Sequence, residues 1–283
     1  MDTTPQVDYN EKGYDLFTIT VENGVADIII SNPPVNVLSG RLMMELQSLL
    51  KALALDTTVK VIVFSSANPE FFIAHVDINI LEEKEILEAL GATALEGLNI
   101  FQTMGELLRR QPQLTIVKLK GIARGGGAEF AAAADMCFAS LEKGKLGQVE
   151  ALMGIIPGGG ATQYLSERMP RGRVLEIVLG AGLFDAKTAE RYGWINRALP
   201  DGKIDEFVNV LAHQVAALPN GVLEAVKEVL QPAGHTAGFN AEDAAWAKLV
   251  SLPKTGQLMN GLMHKGGQTI EGELDIENIL RSL

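Results

Sequence analysis

Gly121-Ile122-Ala123-Arg124-Gly125-Gly126-Gly127-Ala128-Glu129 is the stretch that decides the reading of this chain. Before it, Leu114-Thr115-Ile116-Val117-Lys118-Leu119 is apolar and β-branched, as a buried strand is. After it, residues 128–134 are alanine-rich, with strong helix propensity. Strand, glycine turn and helix start leave backbone N–H groups at the positive end of a helix dipole, where a developing anion can be held. Glu129 falls in the first helical turn beside that point. A second carboxylate, Glu150, precedes another glycine turn, Pro157-Gly158-Gly159-Gly160. An anion hole flanked by two carboxylates points to proton transfer on a carbonyl compound.

Working outward, the flanking sequence reads as alternating strands and helices. Residues 17–21 and 25–30 flank Glu22-Asn23-Gly24, and Asn-Gly is a strong hairpin signal. Ser39 is placed to cap a helix through residue 55, with Leu42, Leu46, Leu49, Leu50 and Leu53 near helical spacing. Residues 59–64 read as a buried strand, residues 87–109 as one long helix, and residues 116–119 and 136–139 as strands with the alanine-rich helix between them. That β-α-β order predicts a parallel pair joined by a right-handed crossover. After Pro157 the character changes: residues 162–169, 172–179, 186–192, 204–218 and 223–230 read as helices, and 194–198 as a strand. Asp185 and Asp201 stand where helix caps belong, and Pro219, Pro232 and Pro253 interrupt the periodicity. The expected organisation is a loose start over residues 1–12, an α/β core over 13–200 and a helical region over 201–283.

Composition narrows the function classes. The chain has 283 residues and a formal net charge of −11, which disfavours nucleic acid because phosphate backbones need clustered Lys and Arg. No apolar run reaches the roughly 20 residues that span a bilayer, and the N-terminus lacks a signal-peptide pattern. The single cysteine, Cys137, lies in an apolar segment and reads as a small buried hydrophobe, consistent with a reducing, cytoplasmic setting. The four histidines show no metal-ligand spacing, so no metal site is expected.

Gly121–129 resembles the oxyanion-hole segment of the crotonase (enoyl-CoA hydratase/isomerase) superfamily. Gly147-Gln148-Val149-Glu150 followed by Gly154-Ile155-Ile156-Pro157-Gly158-Gly159-Gly160-Ala161-Thr162-Gln163 is similar to that family's second signature. Asn32-Pro33-Pro34-Val35-Asn36-Val37-Leu38-Ser39 and Ala74-His75-Val76-Asp77-Ile78 match two earlier motifs, in the same order. The resemblance implies an α/β fold with a crotonase-like ββα spiral core and a helical C-terminal region for oligomer contacts, in trimers or hexamers. It implies an acyl-CoA thioester as substrate, with coenzyme A entering as part of that substrate and no tightly bound cofactor.

By motif position the resemblance makes the backbone N–H groups of Val76 and Gly126 the donors to the thioester oxygen, and Glu129 and Glu150 the acid/base pair that adds water. Ala74, His75, Asp77, Ile78, Arg124, Gly125 and Gly158 would surround the thioester and its CoA. Retention of both glutamates favours a hydratase. The alternatives are an isomerase, a thioester hydrolase or lyase working with one glutamate, and a binding protein with weakened catalysis.

Several residues depart from the family pattern. His75 replaces a glycine beside one donor, Arg124 stands where an apolar residue is usual, and Asn79 replaces a lysine. The tail lacks the usual Phe-x-Glu-Lys-Arg, leaving Lys265 and Arg281 as the nearest cations for CoA. Read as residues alone, Glu129 can be a dipole-favoured first-turn carboxylate, Glu150 a solvated loop charge, and a lone His75 is more often structural than catalytic. Leu81, Ile86 and Leu90 are candidates for the border of an acyl pocket.

Overall fold

A chain that alternates between two sheets builds the core. The structure, a computed structural model, describes Tyr9, residues 13–230 and residues 234–283. The larger sheet holds β1 (Phe17–Glu22), β2 (Val25–Ile30), β3 (Val61–Ser66), β5 (Leu114–Leu119), β7 (Met136–Ser140) and β10 (Arg197–Leu199), in that spatial order. The smaller holds β4 (Phe71–Ile73), β6 (Ile122–Arg124), β8 (Lys145–Gly147) and β9 (Leu183–Asp185). The β1–β2 hairpin turns at Asn23 and Gly24, whose φ of 49° and 80° suit the twist of the paired strands. From β2 to β10 the larger sheet is parallel. Each of β3, β5 and β7 hands the chain to β4, β6 or β8 in the other sheet, and helices return it after β4 and β6. This is the expected ββα spiral, and β5 and β7 are the expected parallel pair.

The helices follow their local signals with two exceptions, over 87–109 and at Asp201. Ser39 caps α1 (Gly40–Ala54) by accepting from the Leu42 N–H at 3.3 Å, as expected. The single helix expected over 87–109 is instead α2 (Lys84–Ala92) and α3 (Ile100–Arg109). The break has a cause in the sequence: Gly97 adopts φ 75°, and the Asn99 side chain accepts from Phe101 and Gln102 while Gln102 reciprocates, which starts a new helix. After α4 (Gly126–Ala133), α5 (Ala161–Arg168) and α6 (Arg171–Gly180), Asp185 caps α7 (Ala186–Tyr192) by accepting from the Thr188 N–H at 2.7 Å. Asp201 does not cap α8 (Asp201–Ala216). It is that helix's first residue, and its carboxylate pairs with Lys143 at 3.1 Å.

Beyond α9 (Val222–Val229) come four helices: α10 (Thr236–Val250), α11 (Pro253–His264), α12 (Ile270–Leu274) and α13 (Ile276–Arg281). Pro253 opens α11 rather than merely interrupting a pattern, because proline's missing N–H costs nothing at a first helical position. Pro232 and the expected loose start lie outside the described residues except at Tyr9, which is buried and donates to Asp56 at 2.7 Å.

Apolar faces explain how the layers close. The leucines of α1 pack with Ile28, Phe64, Phe72 and Phe130 in the main core, which also holds Cys137 at 1% exposure. Burial pushes the Cys137 thiol up to about 12. On the other face of the larger sheet, Ile204, Val208, Ala212 and Ala216 of α8 recur every fourth residue and pack on Val25, Val61, Val63 and Ile116. A third cluster joins Val149, Met153 and Ile155 to Leu262, Ile276 and Leu280, so α11 and α13 fold back onto the segment that carries Glu150. Among the described residues no helix is long and apolar enough to cross a membrane.

Candidate active site

The loop after β2 aligns the segment that follows β4. Asn36 adopts φ 53°, a left-handed conformation that asparagine tolerates better than most residues. Its side chain donates to Ser66 and to the Phe72 carbonyl and accepts from the Asn32 N–H at 2.6 Å. So fixed, Leu38 forms a parallel bridge with Val76: the Leu38 N–H donates to the His75 carbonyl at 2.7 Å, and the Asp77 N–H donates to the Leu38 carbonyl at 3.1 Å. In a parallel bridge of this kind the central residue turns its own N–H and C=O to the opposite side. The Val76 amide therefore faces away from Leu38.

Gly126 begins α4 beside Val76. A Cβ on Gly126 would lie 2.5 Å from Val76 Cγ2, and one on Gly125, at φ 47°, would lie 2.7 Å from Glu150 Oε1. Only glycine lets the three chain segments approach this closely. One turn into α4, Glu129 Oε1 accepts from the Gly159 N–H at 2.8 Å and the Ala161 N–H at 3.1 Å. Glu150 opens a 3₁₀ turn, Glu150–Met153. Turned toward it, the Gln148 amide nitrogen donates to both its oxygens at 3.0 and 3.1 Å.

Burial raises both carboxyl groups. Glu129 is lifted well above its ordinary value by desolvation and then by the nearby Glu150 and Glu242. Desolvation pushes Glu150 up to about 7, with the charge of His75 opposing the rise. Glu242, on α10, was not picked out from the sequence. It accepts from the Gly160 N–H at 2.8 Å, from the Thr162 N–H at 3.2 Å, and from the Thr162 hydroxyl and Gln102 side chain, holding the glycine loop that in turn holds Glu129.

His75 and Arg124, two of the departures from the family pattern, meet carboxylates of the C-terminal helices. His75 Nδ1 lies 2.6 Å from the Val76 carbonyl and Nε2 lies 2.9 Å from Glu273 Oε1. Both partners are acceptors, so the ring satisfies both only as an imidazolium. Burial works against that charge, but Glu273 overcomes it and holds His75 above its ordinary value; Glu273 is correspondingly held low. Arg124 makes a two-pronged pair with Glu277, at 2.6 and 3.0 Å, and its Nη1 lies 3.9 Å from Glu273 Oε2.

These elements enclose a cleft of about 620 Å³, counting the space at its mouth. His75, Val76, Asp77, Ile78, Gly125, Gly126, Glu129, Glu150 and Gly158 line it together. Ala74 and Arg124, also expected there, do not. Ala74 is buried beside Val35, Phe71 and Ile122, and Arg124 is fully buried against Glu277. The remaining wall is apolar and includes Ile80, Leu81, Phe101, Met153, Ile155, Trp246 and Met259. Leu81 thus reaches the cleft, whereas Ile86 packs over Gly40 and Leu90 joins the main core. Neither Lys265 nor Arg281 is among the lining residues; Lys265 donates to Ser282 at 2.7 Å and Arg281 to the Gly180 carbonyl at 2.7 Å.

Known proteins resemble this chain over most of its length. The enoyl-CoA hydratase/isomerase family model matches residues 20–263. A Rhizobium meliloti protein named "Probable enoyl-CoA hydratase" is 30% identical over 224 residues, covering 77% of this chain and 83% of the relative. The 2,3-dehydroadipyl-CoA hydratase of Escherichia coli is 29% identical over 202 residues, covering 71% and 76%. A crystal structure of a candidate enoyl-CoA hydratase from Streptomyces avermitilis superposes with a TM-score of 0.94 at 55% identity, covering 95% of this chain and 98% of that one. The chain belongs to the enoyl-CoA hydratase/isomerase family.

Proposed function

We propose that this protein adds water across the 2,3-double bond of an enoyl thioester of coenzyme A. The observation that carries the reading is the meeting of Val76, Gly126, Glu129 and Glu150 in the wall of one cleft. Attack of water at Cβ moves charge onto the thioester oxygen. Two fixed N–H donors, from Val76 and Gly126, would stabilise that enolate, and in other enzymes one such donor is worth about 10²–10³ in rate. Water must lose a proton and Cα must gain one, which needs a carboxylate and a carboxylic acid together. Burial lifts both carboxyls, Glu150 to about 7, and an ionised Glu150 raises Glu129 further, which favours a carboxylate beside a carboxylic acid, the charge state this division of labour requires. The apolar wall of Ile78, Phe101, Met153 and Trp246 suits the acyl chain and keeps bulk water from the enolate.

The test is product analysis with short trans-2-enoyl-CoA and 3-enoyl-CoA substrates, on the wild type and on Glu129→Gln and Glu150→Gln. The expected product is the 3-hydroxyacyl thioester, with kcat reduced about 10²–10⁴-fold in each variant. Near wild-type turnover in both variants, or double-bond migration as the main reaction, overturns the assignment.

A further inference from the structure

We infer that the His75–Glu273 pair, tied in through Arg124 and Glu277, is a positioning unit by which the C-terminal helices set the Val76 amide. The inference rests on the hydratase reading for its catalytic consequence, but its geometry stands apart from the choice of reaction. Val76 turns its N–H and C=O to the same side, away from Leu38. The His75 ring claims that carbonyl at 2.6 Å, and Glu273 claims the far side of the ring at 2.9 Å. Leu38 thus holds the His75–Val76 peptide, which carries the Val76 N–H, while the ring anchored in α12 holds the next peptide, Val76–Asp77, so the backbone at Val76 and the direction of its N–H are fixed from both ends.

The anchor is built to stay closed. Its two cationic side chains, His75 and Arg124, face two carboxylates, Glu273 and Glu277, and the most exposed of the four is Glu277 at 16%. Removing one member leaves an uncompensated buried charge, which is strongly destabilising to the arrangement. A second tie runs parallel to it: Gln268 donates from its side chain to Asp77 at 2.9 Å and from its backbone to Glu273 at 2.9 Å. The segment from 268 to 277 thereby grips the residues on both sides of Val76. His75 is a positioning residue here, and the family's glycine at this place could not perform that role.

The two ring contacts can be separated by substitution. An asparagine side chain places its amide nitrogen near the position of Nδ1, and a glutamine near that of Nε2. His75→Gln therefore keeps the Glu273 contact and loses the Val76 contact. His75→Asn with Glu273→Gln keeps the Val76 contact and removes the charge that would be left unpaired. The readouts are kcat and KM for a short enoyl-CoA, and the infrared carbonyl stretch of bound acetyl-CoA labelled with ¹³C at the thioester.

The expected result for His75→Gln is a fall in kcat on the order of 10–100-fold with little change in KM, and a weaker downshift of the carbonyl band. The Asn/Gln double variant, which keeps the Val76 contact without its anchor in α12, should recover only part of both, and full recovery would make that anchor dispensable and overturn the inference. Wild-type kcat and band position in His75→Gln overturn the inference. So does an equal loss in both variants that follows only their melting temperatures. If the wild type downshifts the carbonyl without hydrating the substrate, the hydratase reading falls, and the band positions in the variants still decide this inference.

Discussion

Glu150 sits between Val149 and Met153 in a wall that is mostly apolar, and this setting makes its charge expensive. An acid whose pKa is raised on folding, here from 4.5 to about 7, holds its proton more tightly folded than unfolded. Stability from this group is therefore full below about pH 4.5 and is lost as pH rises toward the folded value. Glu150→Gln should be more stable than the wild type at pH 8, by roughly 1–3 kcal/mol, with the gain shrinking toward pH 5. Denaturant melts at the two pH values measure it, and an equal gain at both contradicts the burial argument. Under the proposed hydration the same ionisation would govern the rate. A base that must be ionised makes kcat/KM of the wild type rise through about pH 7, and a flat profile from pH 5 to 8 would remove Glu150 from that role.

At this scale Glu129 and Glu150 were legible because each sits inside a contiguous glycine motif. Glu242 and Glu273 were not, because each acts on a partner far away in the chain, Gly160 or His75, and neither has a local pattern that marks it. His75 and Arg124 stand out in the sequence as departures, yet their contacts lie with distant carboxylates.

The β6–α4 junction shows how one element imposes different demands on adjacent glycines. A Cβ on Gly126 would meet Val76 Cγ2, at the mouth of the cleft. One on Gly127 would meet the Ile73 backbone carbonyl and lie 2.8 Å from Ile73 Cβ, inside the packed core. Gly126→Ala should fold and lose kcat about 10²-fold or more, because the two amides are pushed apart. Gly127→Ala should lose stability by about 1–3 kcal/mol, because neither strand β4 nor helix α4 can give way. Urea melts and turnover measured on both variants separate the effects, and the reverse pattern contradicts the assignment. Element boundaries were readable where caps were local, as at Ser39 and Asp185. The split between α2 and α3 escaped because the apolar spacing continues through the break, which is marked only by Gly97 at positive φ and by the Asn99–Gln102 reciprocal bonds that start α3.

Across the whole molecule, the alternation of strands between two sheets follows from the motif order that the sequence displays. The placement of the last four helices does not. What seats them is a set of long-range partners: Leu262, Ile276 and Leu280 on the Glu150 segment, and Trp246 and Met259 in the cleft wall. Within one chain, α10 and α11 of the C-terminal helical region contribute Trp246 and Met259 to the cleft wall.

The single cysteine, Cys137, turns this architecture into a clock. Its thiol is sealed in the main core and held at about 12, so an alkylating reagent can reach a reactive thiolate only when the core opens. Labelling of the intact protein at pH 8 by iodoacetamide should run at the global opening rate or equilibrium, far below that of a free thiol, and saturating acyl-CoA should slow it further. Rapid labelling of the folded protein would mean that the β5–β7 interior breathes independently of the rest.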